Sequence, residues 1–181
     1  MDYLMKKWKM WYNSMDVNHD GKVSVKDVQE SENKFTNLHE LVGEKANRVQ
    51  DNIDAWWNKY IFVTGTKKEI SESEFVEKLT EAYKIDKIAF KREMQACFDC
   101  IFAILDANKD RNIDLDEYIN ASKAFGHENE ALVRKIFSLF NVDPENEALP
   151  VRDIVSAWVT FVTEEDSDVT DIIMEAFSEG L

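Results

Sequence analysis

The chain has 181 residues, 44% of them apolar, which suits one compact domain or two small lobes with a sizeable core. Thirty-six acidic residues against 22 basic ones give a formal net charge of −14, a balance that disfavours nucleic acid and anionic membranes as partners and suits cations. No apolar run reaches the roughly 18 residues of a membrane span, and two cysteines, Cys97 and Cys100, leave no disulfide framework, so a cytosolic chain is expected.

Five glycines and two prolines predict a nearly all-helical fold. The first helix is marked by Leu4, Trp8, Trp11, Tyr12 and Met15, spaced as one helical face and expected to be core. It runs into residues 16–27, DVNHDGKVSVKD, where Asp16, Asn18 and Asp20 take positions 1, 3 and 5 of an EF-hand calcium loop. Gly21 falls at the turn, Lys22 offers its carbonyl at position 7, Val23 is the inward apolar residue and Ser24 can hold a water. Position 12 is Asp27 where Glu is usual. The shorter side chain reaches an ion less easily with both oxygens, so this loop is expected to tolerate magnesium better than the later one.

Helix resumes at Val25, with Ser24 and Asp27 placed as a capping pair. Val28, Phe35, Leu38, Leu41 and Val42 mark its apolar side and Gly43 its expected stop. A third helix is predicted over 44–62. In the next segment Ile70 reads as position 8 and Glu74 as position 12, which puts Val63, Gly65 and Lys67 at positions 1, 3 and 5. Those residues cannot hold a dication, so this hand is one by geometry only. Ser71 and Glu74 form a capping box into a helix carrying Phe75, Leu79 and Tyr83.

The helix over 86–105 buries Phe90, Met94, Cys97, Phe98, Ile101, Phe102 and Leu105. Cys97 and Cys100 form a C-x-x-C without the strand–helix setting of a redox motif, and two core thiols are expected. Residues 106–117, DANKDRNIDLDE, then carry oxygen at every ligand position: Asp106, Asn108, Asp110, Asn112 through its carbonyl, Asp114 directly or through water, and Glu117 with both carboxylate oxygens. Arg111 stands where the turn wants Gly, at a cost of roughly 1–2 kcal/mol of left-handed strain.

Tyr118, Ile119 and Phe125 mark the outgoing helix, with Gly126 as its cap; a helix is predicted over 128–140. A fourth loop-like segment follows from Asn141 or Val142, and in either register its ligand ladder breaks, so no binding is expected there. A helix with Val151, Ile154, Val155, Trp158 and Phe161 comes next, and a last one after the capping run Asp166, Ser167 and Asp168. His19, His39 and His127 are scattered, form no zinc or catalytic constellation, and are expected at the surface.

Four related segments make an internal repeat. The fold expected is all-α, with four EF-hand helix-loop-helix repeats in two paired lobes, residues 1–84 and 85–181, forming one compact protein. Pairing at position 8 would join Val23 to Ile70 and Ile113 to Leu149. The second and fourth hands then act as scaffolds for the first and third.

The opening DYLMKKWKMWYNSMDVNHDG, the DAWWNKYIF stretch and KAFGHENEA resemble the invertebrate, molluscan-type sarcoplasmic calcium-binding proteins along essentially the whole chain. The resemblance implies a four-hand protein of muscle cytosol that buffers calcium and magnesium. Two calcium ions are expected, with magnesium competing mainly at the first loop, and no protein partner is required. A calcium sensor would expose a methionine-rich surface, and Met1, Met5, Met10, Met15, Met94 and Met174 do not group as one. A luciferin-type carrier lined by Trp8, Trp11, Trp56, Trp57 and Trp158 ranks third, and no residue constellation supports an enzyme.

Overall fold

The structure, a computed structural model, describes residues 1–62, 68–140, 142 and 147–180. Helices α1 (Asp2–Ser14) and α2 (Val25–Leu38) frame the first loop, and α3 (Gly43–Trp56) and α4 (Glu72–Ile85) frame the second segment. Helices α5 (Lys87–Leu105) and α6 (Leu115–Ala124) frame the third loop, α7 (Glu130–Phe137) and α8 (Val151–Thr163) the fourth segment, and α9 (Ile172–Ser178) closes the chain. Strand β1 (Val23–Ser24) pairs antiparallel with β2 (Glu69–Ile70), and β3 (Asn112–Asp114) with β4 (Ala148–Pro150). The registers set Val23 opposite Ile70 and Ile113 opposite Leu149, all four side chains buried, as the position-8 spacing required.

The first three hands each begin their second helix with a side-chain cap. Ser24 with Asp27, Ser71 with Glu74, and Asp114 with Glu117 each form a reciprocal capping box. Otherwise orphaned N–H groups are thereby satisfied at the point where loop becomes helix. The fourth hand instead starts α8 after Pro150, without a side-chain cap.

One aromatic core runs through both pairs of hands. Helices α1 and α8, α2 and α6, and α3 and α5 pack across the midline, and Trp57 stacks on Phe125 with ring centroids 6.2 Å apart. The Trp8 indole donates to the Val162 carbonyl at 2.9 Å, tying the first helix to the last hand.

Several boundaries differ from the sequence expectation. Gly43 does not stop α2; that helix ends at Leu38, with Glu40 in the left-handed region at φ 51°. There Glu40 N–H donates to the Asn37 carbonyl and Leu41 N–H to the Thr36 carbonyl, a Schellman closure built without glycine. Beyond that turn Val42 is exposed, and so is Leu38 in the last turn, so neither belongs to the buried face. The third helix widens into a π-helix over Trp57–Phe62, a spacing that stacks Trp57 on Phe62 at 5.9 Å. Helix α7 is shorter than 128–140, starting after the cap Asn129, and α9 is capped by Asp171 rather than by the run at 166–168. Cys97, at the edge of the buried stripe of α5, is core, and the turn of about 60° from i to i+3 carries Cys100 past that edge into solvent.

Candidate metal centre

The two oxygen-rich loops fold on the same lattice of hydrogen bonds. At position 1, Asp16 Oδ2 accepts from Gly21 N–H at 2.8 Å, and Asp106 Oδ2 accepts from Arg111 N–H at 3.0 Å. At position 3, Asn18 Oδ1 accepts from Asp20 N–H and Asn108 Oδ1 from Asp110 N–H. At position 5, Asp20 Oδ1 accepts from Lys22 N–H and Asp110 Oδ1 from Asn112 N–H. Position 12 closes both rings. Asp27 accepts from Asn18 N–H at 3.2 Å and Ser24 N–H at 2.7 Å, and Glu117 accepts from Asn108 N–H and Asp114 N–H, both at 3.2 Å. Asp27 therefore spans the same two loop positions as Glu117 despite lacking one methylene.

The glycine substitution in the later loop leaves this lattice intact. Arg111 adopts φ 69° against 86° for Gly21, and the preceding His19 and Lys109 are left-handed as well, at 57° and 64°. Arg111 thus bears the strain that its residue type implies and still delivers its N–H to position 1.

Burial grades the ligands from inside out. Asp27, Asp106 and Glu117 are buried, Asp16, Asn18, Asn112 and Asp114 half-buried, and Asp20, Lys22, Asn108 and Asp110 exposed. Burial raises the Asp27 carboxyl above its ordinary value, opposed by the N–H groups of Ser24 and Asn18 and reinforced by Asp16 and Asp20. Glu117 is raised in the same way, with Asp114 and Asn108 N–H groups opposing and the Asp114 and Asp106 charges reinforcing. Asp106 Oδ1 is fully buried and has no hydrogen-bond partner among the described residues, which is costly for a carboxylate oxygen unless a cation faces it. The donor set consists of hard oxygens, the ligands that calcium and magnesium take. Even so, among the described residues no three His, Cys, Asp or Glu side chains converge as a ready-made metal cage. The loop oxygens rest on backbone N–H groups, and gathering them further requires a dication to offset carboxylate repulsion.

Tyr12 is a residue of this region that periodicity alone reads only as core. Its hydroxyl accepts from Val23 N–H at 3.3 Å and donates to the Ile70 carbonyl at 2.9 Å, stitching the first loop to its paired strand. In the degenerate second loop, Val63, Gly65 and Lys67 lie outside the described residues, as do Asn141, Asp143, Pro144 and Glu145 of the fourth. The histidines depart from expectation. His19 is exposed, but His39 and His127 are half-buried, and burial followed by the nearby His19 pushes His127 down to about 4.

Paired helix-loop-helix units joined through two-strand contacts at position 8 define a four-hand EF-hand protein. Relatives of known name narrow the assignment. A sarcoplasmic calcium-binding protein of Mizuhopecten yessoensis is 53% identical over 176 residues, 97% of this chain and 98% of that relative. Another, from Hediste diversicolor, is 26% identical over 117 residues, 65% of this chain and 66% of that relative. The chain belongs to the sarcoplasmic calcium-binding protein family. No family model matches it. Among solved structures, the calcium-loaded apo form of coelenterazine-binding protein from Renilla muelleri aligns with TM-score 0.72 at 18% identity, over 97% of this chain and 94% of that one. The structure of n-aequorin aligns with TM-score 0.68 at 21% identity, over 97% and 93%. Both likenesses establish the fold alone.

Proposed function

We propose that the chain binds two calcium ions and buffers calcium in muscle cytoplasm. One ion would be held by Asp16, Asn18, Asp20, the Lys22 carbonyl and Asp27, the other by Asp106, Asn108, Asp110, the Asn112 carbonyl, Asp114 and Glu117. Lobes 1–84 and 85–181 each contribute one binding hand and one scaffold hand. The observation that carries this reading is the shared hydrogen-bond lattice of the two loops, with Asp106 Oδ1 given no partner by the described residues inside the second. Magnesium competes mainly at the first loop, where the shorter Asp27 favours an octahedral ion. Each site, with free calcium at 100 times Kd, adds about 2.7 kcal/mol of stability.

A sensor role ranks below buffering. Met15 and Met94 are buried, and Met5, Met10 and Met174 pack against the core rather than forming a groove. A luciferin-type carrier is favoured by one observation, an apolar cavity between the lobes. Its volume of about 110 Å³ is small beside the roughly 300–1,000 Å³ of sites for drug-sized ligands. Such a ligand would require the lobes to part.

Titration calorimetry with calcium, with and without magnesium, tests the proposal. Two sites are expected, reduced to one in Asp27→Asn and to the other one in Glu117→Gln. Magnesium is expected to weaken calcium binding in Glu117→Gln, which keeps the first loop, more than in Asp27→Asn. Absence of calcium binding, or two sites surviving in both variants, would overturn it.

A further inference from the structure

Five tryptophans are distributed through the chain, and three of their indole N–H groups are spent within the fold. Trp8 donates to the Val162 carbonyl, Trp56 to the Cys97 carbonyl and Trp57 to Ser31 Oγ. Trp11 and Trp158 have no such partner among the described residues, and both line the cavity between the lobes. The Tyr118 hydroxyl and the His127 ring line it too, equally without a hydrogen bond from the described residues. None of these polar atoms is sealed away from accessible space, although Trp11 and Tyr118 are only 3% and 8% exposed. Buried Trp and Tyr ordinarily find a partner for their polar ends, so four unspent groups around one hollow are a feature to be explained.

The rest of the wall limits what could sit there. Phe98 stands between Trp11 and Trp158, its centroid 5.3 Å from each, giving a continuous aromatic surface. Among the described residues no Asp, Glu, Lys or Arg contributes to the lining, so a charged guest would be desolvated without compensation. Two indole N–H groups and one hydroxyl are donors, so the guest must bring acceptor oxygens or nitrogens. A dry cavity of about 150 Å³ accommodates benzene, so the roughly 110 Å³ here limits a guest to at most one ring. Ser14 and His127 also line a wider surface hollow of about 470 Å³, into which a substituent could extend.

We propose that the cavity between the lobes is a binding site for a compact, neutral, single-ring aromatic molecule bearing a hydrogen-bond acceptor. The guest stacks along Trp11, Phe98 and Trp158 and accepts from the unspent donors. The site is separate from the metal loops, so its failure leaves the calcium assignment untouched. It nevertheless shares walls with both loops, because Met15 and Leu105 immediately precede Asp16 and Asp106, and Tyr118 follows Glu117.

The test uses the full chain labelled with nitrogen-15, once in excess calcium and once with chelator, titrated with acetophenone. Saturable shifts of the Trp11 and Trp158 indole N–H resonances are expected, with Trp8 and Trp57, which do not line the cavity, left in place. Ethylbenzene, without the acceptor, and benzoate, with a charge, should bind more weakly. Tyr118→Phe should weaken acetophenone about fivefold, the scale of one neutral hydrogen bond, and Ala121→Phe, which fills the cavity, should abolish it. Should Ala121→Phe fail to fold, the Tyr118→Phe and ethylbenzene comparisons still decide. No saturable shift under either condition, equal movement of all five indoles, or ethylbenzene binding as tightly as acetophenone would overturn the proposal.

Discussion

Lys7 Nζ lies 3.0 Å from Asp171 Oδ2, with the two side chains 0% and 4% exposed, across 164 positions of sequence. The ammonium also faces the rings of Tyr3 and Phe161, at 4.5 and 5.6 Å. The pair pins α1 to the start of α9, whose first turn Asp171 also caps through Met174 N–H at 2.9 Å.

Removing one partner of such a pair strands the other charge. Lys7→Met is expected to destabilise the chain by about 3–5 kcal/mol, while Lys7→Met with Asp171→Asn recovers most of that loss. The asparagine keeps the helix cap. Urea unfolding of both single variants and the double one supplies the cycle, and additive losses would show the contact to be energetically idle.

Strain at Arg111, at φ 69°, makes a second prediction. Arg111→Gly relieves about 1 kcal/mol of left-handed cost, which in a chain of this size corresponds to about 2–4 °C in the calcium-saturated thermal midpoint. Scanning calorimetry reads it. An unchanged or lowered midpoint would mean that the flexibility glycine adds to the unfolded chain outweighs the strain.

Much of this architecture was legible because its determinants are local. Capping pairs three residues apart, the odd-numbered oxygens of each loop and the position-8 apolar residues each fix their own stretch of backbone, and both strand registers followed from them. Lys7 shows what is not local: on the helical stripe of Leu4, Trp8 and Trp11 it is simply a charge, and only its partner in α9 explains its burial. The end of α2 is hidden for a different reason: Glu40 does at a Schellman turn what glycine usually does, so the glycine three residues later is not the stop that its residue type suggests. The Tyr12 stitch was hidden because position 12 lies on an ordinary apolar face, and its hydroxyl matters only once β1 and β2 meet.

Burial raises the Glu32 carboxyl to about 7 from its ordinary 4.5, with Asp54 and Asp51 adding to the rise and Lys68 opposing it. Between those values the folded chain holds a proton that the unfolded chain has released, so stability falls as pH rises through the window and the loss is complete above it. Glu32→Gln should therefore raise the thermal midpoint at pH 8, change it little at pH 4, and flatten the slope between. The group is half-buried, so solvent screening keeps the effect modest. A wild-type midpoint that climbs from pH 5 to 7 and is mirrored by the variant would contradict the assignment.

The first loop is seated on the far end of the third hand. Gly126, at φ 89°, closes α6 by a Schellman turn, its N–H donating to the Lys123 carbonyl and that of His127 to the Ser122 carbonyl. A Cβ at Gly126 would lie 2.8 Å from the Val17 carbonyl, and the Gly126 carbonyl is 3.1 Å from His19 Nε2. Val17 and His19 occupy positions 2 and 4 of the first loop, whereas Glu117 sits in the first turn of the helix that Gly126 ends. Gly126→Ala combines a disfavoured backbone conformation with a clash against backbone, at a cost of about 1–3 kcal/mol. Because the clash falls on residues 16–27, calcium affinity should drop at the first loop more than at the third, although the substitution lies nine residues beyond Glu117 in sequence. Calorimetry of Gly126→Ala in the Glu117→Gln and Asp27→Asn backgrounds separates the two sites. A loss confined to the site containing Glu117 would show that the contact between the lobes does not carry the effect.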